Sequence, residues 1–269
     1  MITKQLGILS AIAMLPAFAQ VSSAPSSPDA TRLSAPRWHS PIRGKVEHGD
    51  GTSTSENWSG YAVTGTGFTT AKGSWIVPTM DCASSGTQYA VFWVGIDGDI
   101  SDTVEQTGTE AVCSDGTPTY TAWYEFYPAL PIETITTMTV EPGDKIAAEI
   151  FYNTTSEEFS VKITDERSGQ SFTKSSKVAS AVRSSAEWIA EAPSSFEILP
   201  LADFGTVLFG KDSTGIAGNC SAADSTTSGA ISAFSTVEAI TMEKSMVMEA
   251  IPSALSSDGT SFSIQWAAR

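Results

Sequence analysis

The sequence predicts an all-β sandwich built from antiparallel sheets. Short segments of alternating apolar and polar residues recur along the chain from about residue 61 to residue 266. Turn sequences such as Glu141-Pro142-Gly143-Asp144 and Arg167-Ser168-Gly169 separate them. Many short strands with regular turns and no long helical period point to a sandwich. The body of about 215 residues suits one such domain, because all-β folds reach this length without splitting.

Taken in order, strands are expected over Tyr61–Phe68 and Lys72–Val77, which are divided by Gly and Thr. Next come Gln88–Asp97, Thr103–Val112, Thr119–Tyr127 and Thr134–Val140. Lys145–Tyr152, Glu158–Asp165 and Gln170–Val178 follow, each closed by a turn signal. The last are Ala186–Ala190, Phe204–Phe209, Ala230–Glu243 and Ser261–Trp266. Val178–Ile189 has a helical alternative, but it is short and runs into Pro193, which favours a loop followed by a strand.

Side chains alternate across a strand, so spacing assigns faces. Trp93 and Asp97 share one face, opposite Phe92, Val94 and Ile96. Gln106 and Glu110 share another, as do Trp123, Glu125 and Tyr127, while Glu187 points opposite to Trp188. Four strands thus offer aromatic, amide and carboxyl groups together. This composition suits a groove for an extended ligand; a plain solvent face with scattered aromatics is the other reading.

The N-terminus reads as an export signal over residues 1–24. Lys4 precedes an apolar run from Ile8 to Phe18, and small residues follow, so that cleavage after Ala19 or after Ala24 both fit. No later stretch is long and apolar enough for a membrane helix. A secreted, extracellular, soluble protein without a membrane partner is therefore expected. Residues 25–52 form a Ser- and Pro-rich leader, expected to lack a packed core, and the folded domain covers 53–269. The first 50 residues carry 5 of the 15 basic and only 3 of the 30 acidic residues. A basic leader before an acidic body suits a propeptide lying on acidic surface, with maturation falling at about residues 45–56. The formal charge of −15 argues against nucleic acid, whose phosphates need a basic stripe.

Of the three cysteines, Cys82 and Cys113 flank a predicted strand pair and can close a disulfide in an oxidising compartment, which leaves Cys220 over. Both histidines, His39 and His48, lie in the leader. The body therefore has no histidine for a Ser-His-Asp triad, a Cys-His pair or a histidine zinc site. Glycine-rich phosphate loops are also missing. Acid–base chemistry in such a body falls to Asp and Glu, with no metal and no cofactor expected.

The segments Asn57-Trp58-Ser59-Gly60-Tyr61, Trp93-Val94-Gly95-Ile96-Asp97-Gly98, Glu105-Gln106-Thr107-Gly108, Ala122-Trp123-Tyr124-Glu125-Phe126-Tyr127-Pro128 and Ala186-Glu187-Trp188-Ile189 together resemble the glutamic peptidases, or eqolisins. They stand in that family's order over about residues 55 to 215. The resemblance implies a concanavalin-A-like, jelly-roll-like sandwich of two antiparallel sheets. It also implies a metal-free acid endopeptidase made as a preproprotein, acting on polypeptide substrates. Matched motif by motif, it assigns catalysis to Gln106 and Glu187. Cleft lining falls to Trp58, Trp93, Asp97, Glu125 and Tyr127, and Glu110 stands where relatives can carry aspartate. Trp188 replaces an expected Phe.

In the mechanism this implies, Glu187 takes a proton from the attacking water and returns it to the leaving amine. The neutral amide of Gln106 donates to the oxyanion. Activity is expected to peak in acid, with Glu187 ionising near the ordinary glutamate pKa of about 4.3. It is expected to fall toward neutrality as Asp97, Glu110 and Glu125 ionise together. Two other readings use the same groove: a glycoside hydrolase with two opposed carboxyls drawn from Glu105, Glu110, Glu125 and Glu187, and a binding module with Trp58 and Trp93 as stacking platforms. A monomer is the default.

Overall fold

The structure, a computed structural model, describes residues 39–83, 86–217 and 220–268. These lie in the unit Pro36–Arg269. The expected export signal and the first part of the leader lie outside the described residues.

Strands β1 (Val46–Glu47), β2 (Thr52–Ser55), β3 (Trp58–Thr64), β4 (Thr70–Ile76), β5 (Gln88–Ile96) and β6 (Val104–Ser114) open the fold. Then come β7 (Thr117–Tyr127), β8 (Leu130–Thr134), β9 (Lys145–Asn153), β10 (Glu158–Asp165), β11 (Ser171–Ser176) and β12 (Ser185–Glu191). β13 (Thr206–Gly210), β14 (Ser221–Ala223), β15 (Ser228–Ala230), β16 (Val237–Lys244), β17 (Val247–Pro252) and β18 (Ser261–Trp266) complete it. One short helix, α1 (Lys211–Thr214), follows β13.

Pairing resolves these strands into two layers. One runs β8-β7-β6-β5-β12-β3-β16, antiparallel throughout. The other runs β11-β10-β9-β4-β13-β18. β17 pairs with both β16 and β18 and joins the layers at one edge. The result is the concanavalin-A-like sandwich of two antiparallel sheets. Its main core holds Trp75, Phe92, Phe126, Phe159, Trp188 and Phe209, the inward halves of alternating strands. Trp58, Ala62, Val91, Trp93, Val104, Trp123, Ile189 and Ile240 form a second cluster on the opposite face of the first sheet. That face carries the site.

Most expected strands are present within a residue or two, and the stretch before Glu187 is loop then strand, as expected. Gly143 and Gly169 take positive φ in the two turns named above, a conformation glycine adopts without steric cost. The expected strand Thr134–Val140 ends at Thr134, since β8 is the short return arm of a hairpin. The expected Ala230–Glu243 is broken by a 3-10 turn over Ile231–Ala233. Cys82 and Cys113 are bonded, and Cys220 is a free buried thiol whose pKa burial pushes up to about 12.

The expected leader is described from His39 onward. Its described part is built into the fold. β2 straddles the expected boundary between leader and domain; it pairs in parallel with β16, and its Ser53 and Ser55 are buried. Ile42 N–H donates to the Gly98 carbonyl at 3.0 Å, and Arg43 N–H to Asn57 Oδ1 at 2.8 Å. Lys45 Nζ reaches Asp99 at 2.7 Å and Glu238 at 2.6 Å. A weakly apolar stretch docks here through backbone pairing and charge, which hydrophobic patterning does not register.

Candidate active site

Register across the strands of the first sheet builds the site. Glu187 of β12 is paired with Gly95 of β5, Gly95 with Gln106 of β6, and Gln106 with Glu125 of β7. Directly paired residues project to the same side of a sheet. Glu187, Gln106 and Glu125 therefore share one face, with only a hydrogen atom on Gly95 between the first two. Strands lie about 4.8 Å apart, so the Glu187 and Gln106 backbones stand about 9.6 Å apart, a gap two long side chains can bridge around a small reactant. On its other side Glu187 is paired with Ala62, a small buried residue of the second cluster. Gly95 cannot be enlarged: a Cβ there would lie 2.8 Å from the Trp93 ring and 3.4 Å from Gln106 Cβ.

The next row on this face is Ile189, Trp93, Gly108 and Trp123, and the one beyond it Glu191, Val91, Glu110 and Thr121. The two tryptophans flank Gly108, where a Cβ would come within 2.2 Å of the Phe92 carbonyl oxygen. Trp58 packs edge-on against Trp93 with centroids 4.9 Å apart. Tyr127 is half-buried at the margin of the same cluster. The structure thus brings together Glu187, Gln106, Glu125, Glu110, Trp58, Trp93 and Tyr127.

Asp97, expected to line the cleft, lies just past the end of β5. Its carboxylate is buried and accepts from the backbone N–H groups of Val182, Arg183 and Ser184 and from the hydroxyls of Ser184 and Thr103. It ties down the loop that leads into β12 and so positions the strand carrying Glu187. Glu105 is paired with Ile96 and Phe126, whose side chains belong to the main core, and so faces away from the site.

Two residues of the site were missed in the sequence. Glu191 lies four residues after Glu187 on the same face, and the expected strand stopped one residue short of it. Its Oε2 accepts from Trp93 Nε1 at 2.8 Å. Strand parity, carried one residue further, would have found it. The other is His39. Its ring is fully buried and stacked on Trp123, with centroids 3.9 Å apart, and its Nδ1 lies 3.8 Å from Glu191 Oε2. Its backbone carbonyl accepts from Gln106 Nε2 at 2.8 Å. The second hydrogen of that amide goes to Glu125 Oε2 at 3.0 Å. No local pattern could place a leader residue here.

Burial sets the electrostatics. It pushes the carboxyls of Glu187, Glu191, Glu125 and Glu105 well above the ordinary carboxylate range. Glu125 raises Glu191 further by like charge. Donation from Gln106 partly opposes the rise at Glu125. With the leader in place, burial thus favours the neutral form of Glu187, in contrast to the ordinary value expected from sequence.

An antiparallel sandwich with an amide and a carboxyl opposed across a glycine on one acid-rich face defines a β-sandwich cleft protein of the kind the motifs resemble. Residues 56–263 match the family described as the Peptidase A4 family, and the chain belongs to it. It is 32% identical over 178 residues to aspergillopepsin-2 of Aspergillus niger, covering 58% of this chain and 62% of that protein. It is 33% identical over 163 residues to scytalidopepsin B of Scytalidium lignicola, covering 56% of this chain and 60% of that protein. The chain thus spans about three fifths of the length of the curated relatives it matches. The solved structure of scytalido-glutamic peptidase with a peptide-based transition state analog is similar at a TM-score of 0.64 and 26% identity, covering 79% of this chain and 98% of that one.

Proposed function

We propose that this chain is a secreted acid endopeptidase that hydrolyses peptide bonds without a metal, using Glu187 as general base and Gln106 as oxyanion donor. One observation carries the reading: the Gln106 amide donates to a peptide carbonyl at 2.8 Å, in the register row that also holds Glu187. A neutral amide donor can stabilise the growing charge on a carbonyl oxygen at any pH, and one such donor is worth about 2.7–4 kcal/mol. Glu125 supports this role by taking the other amide hydrogen and fixing which way the amide faces.

In this mechanism water enters between Glu187 and the carbonyl carbon over Gly95. Glu187 takes its proton as the carbon–oxygen bond forms and then passes that proton to the departing nitrogen. To act as a base Glu187 must ionise, and each contact with water that relieves its burial favours the ionised form. Family membership and the peptide-based analog held by the related structure support a polypeptide substrate. The exported leader and the Cys82–Cys113 bond suit an extracellular site of action.

The test is direct. Chain freed of its leader up to His39 is incubated with a denatured protein at about pH 3–4, with a chelator and an aspartic-peptidase inhibitor present. Fragments of that protein are expected. Their absence refutes the reading.

A further inference from the structure

We infer that the His39–Ser40 peptide bond is this chain's own first substrate, and that the leader shuts the cleft until that bond is cut. The inference rests on the catalytic roles proposed above for Glu187 and Gln106.

The carbonyl that Gln106 addresses belongs to His39. It is the position a substrate carbonyl must take for that amide to stabilise an oxyanion. The N–H of the same peptide unit and the N–H of the unit before it are also engaged. The Ser40 N–H faces the Glu191 carboxyl, and the His39 N–H faces Glu125. The His39 ring lies on Trp123, and the Ser40 hydroxyl is 3.3 Å from that of Ser194. The peptide unit is thus held by its oxygen and its own N–H, and the flanking His39 N–H and both side chains are engaged as well. This is how a bound substrate is oriented for attack.

The chain on the C-terminal side keeps that unit in place. Ile42 is hydrogen-bonded to Gly98, Arg43 to Asn57, and Lys45 is clamped between Asp99 and Glu238. Residues 52–55 are a strand of the sandwich. Cleavage within the range 45–56 expected from sequence would sever sheet structure, whereas cleavage at His39–Ser40 leaves every one of these ties intact. It releases only what blocks the site: the carbonyl on Gln106 and the imidazole on Trp123.

The step balances with water alone. The water oxygen bonds to the His39 carbonyl carbon, and the carbon–nitrogen bond to Ser40 breaks. One water proton passes through Glu187 to the Ser40 nitrogen. A carboxyl on His39 and an amine on Ser40 result. Glu191, beside the departing nitrogen, is placed to hold the new amine.

The experiment uses the full chain. Purified protein is held at a series of values over about pH 3–6, and intact masses are followed with time. The expected product begins at Ser40 and forms at a rate unchanged by tenfold dilution, as an intramolecular cut requires. Glu187→Gln is expected to remain uncut. Ser40→Pro removes the N–H facing Glu191 and is expected to slow the cut at this bond at least about 10²-fold. A wild-type chain first cut elsewhere, or one that digests a denatured protein with its leader whole, overturns the inference and leaves the proposed function standing. So does a Ser40→Pro chain that opens at the wild-type rate. If leader-free chain digests nothing, the proposed function itself fails, and this inference fails with it.

Discussion

Glu187 and Gln106 lie in one row of paired residues, separated by Gly95 alone. Each is ordinary by itself, a glutamate and a glutamine on β-strands. Their opposition across the missing side chain makes them a pair. Glu187→Gln keeps the shape and removes the base, so turnover of a denatured protein is expected to fall by at least about 10²-fold. Gln106→Ala is expected to lose about 10²–10³ in kcat. Both should retain the β-sheet circular dichroism of the parent. Near-normal turnover by either folded, leader-free variant would remove that residue from the mechanism.

Gly95→Ala tests the space between them. The added methyl meets the Trp93 ring at 2.8 Å, inside contact distance. Overpacking of this kind costs about 1–3 kcal/mol. The variant is expected to melt at a lower temperature and to lose kcat more than it gains KM, because the ring and Gln106 are displaced together. Unchanged kcat in a chain that melts early would show that the spacing matters to stability alone.

Asp97→Ala should be among the most damaging changes away from the catalytic pair. It leaves three backbone N–H groups and two hydroxyls without their acceptor. A hydrogen bond to a charged group contributes about 1.5–3 kcal/mol, and a buried orphaned donor adds its own penalty. A loss of roughly 3 kcal/mol or more is expected from denaturant titration. If stability were untouched, the tie between Asp97 and the loop before β12 would carry no weight.

The buried carboxyls give stability a definite slope with pH. In the closed chain Glu125, Glu187, Glu191 and Glu105 keep their protons well above the ordinary range, whereas in the unfolded chain they ionise near about pH 4.3. Between those values the folded chain binds more protons, so stability is full in acid and is lost as pH rises through the folded values. Melting temperature of the uncut chain is expected to be highest in acid and to decline toward neutrality. Glu191→Gln should flatten the decline. A melting temperature that climbed across that interval would contradict the assignment.

Much of this was legible in the sequence because it is local. The two-residue period put Trp93, Gln106, Glu110, Trp123 and Glu125 on shared faces within their own strands, and those faces are one face in the structure. What alternation could not supply was register between strands. That Gln106 sits opposite Gly95, and Gly95 opposite Glu187, depends on pairings between segments far apart in the chain. Asp97 had the right parity and a different job, since its φ of 70° belongs to the turn that ends β5 and aims its carboxylate at the loop before β12. His39 was counted as leader and set aside. Its contacts with Trp123, Glu191 and Gln106 join segments far apart in the chain, which local patterning does not register.

The pairing of β2 with β16 has a consequence for the order in which the molecule comes into being. Thr54 meets Thr241, so the partner strand of β2 is made long after β2 itself. Glu187 likewise joins Gly95 and Gln106 only after β12 emerges. Contacts of such long sequence separation form slowly, after the loops between them have closed. The nascent chain therefore carries neither a finished cleft nor a paired β2 until β12 and β16 have been made.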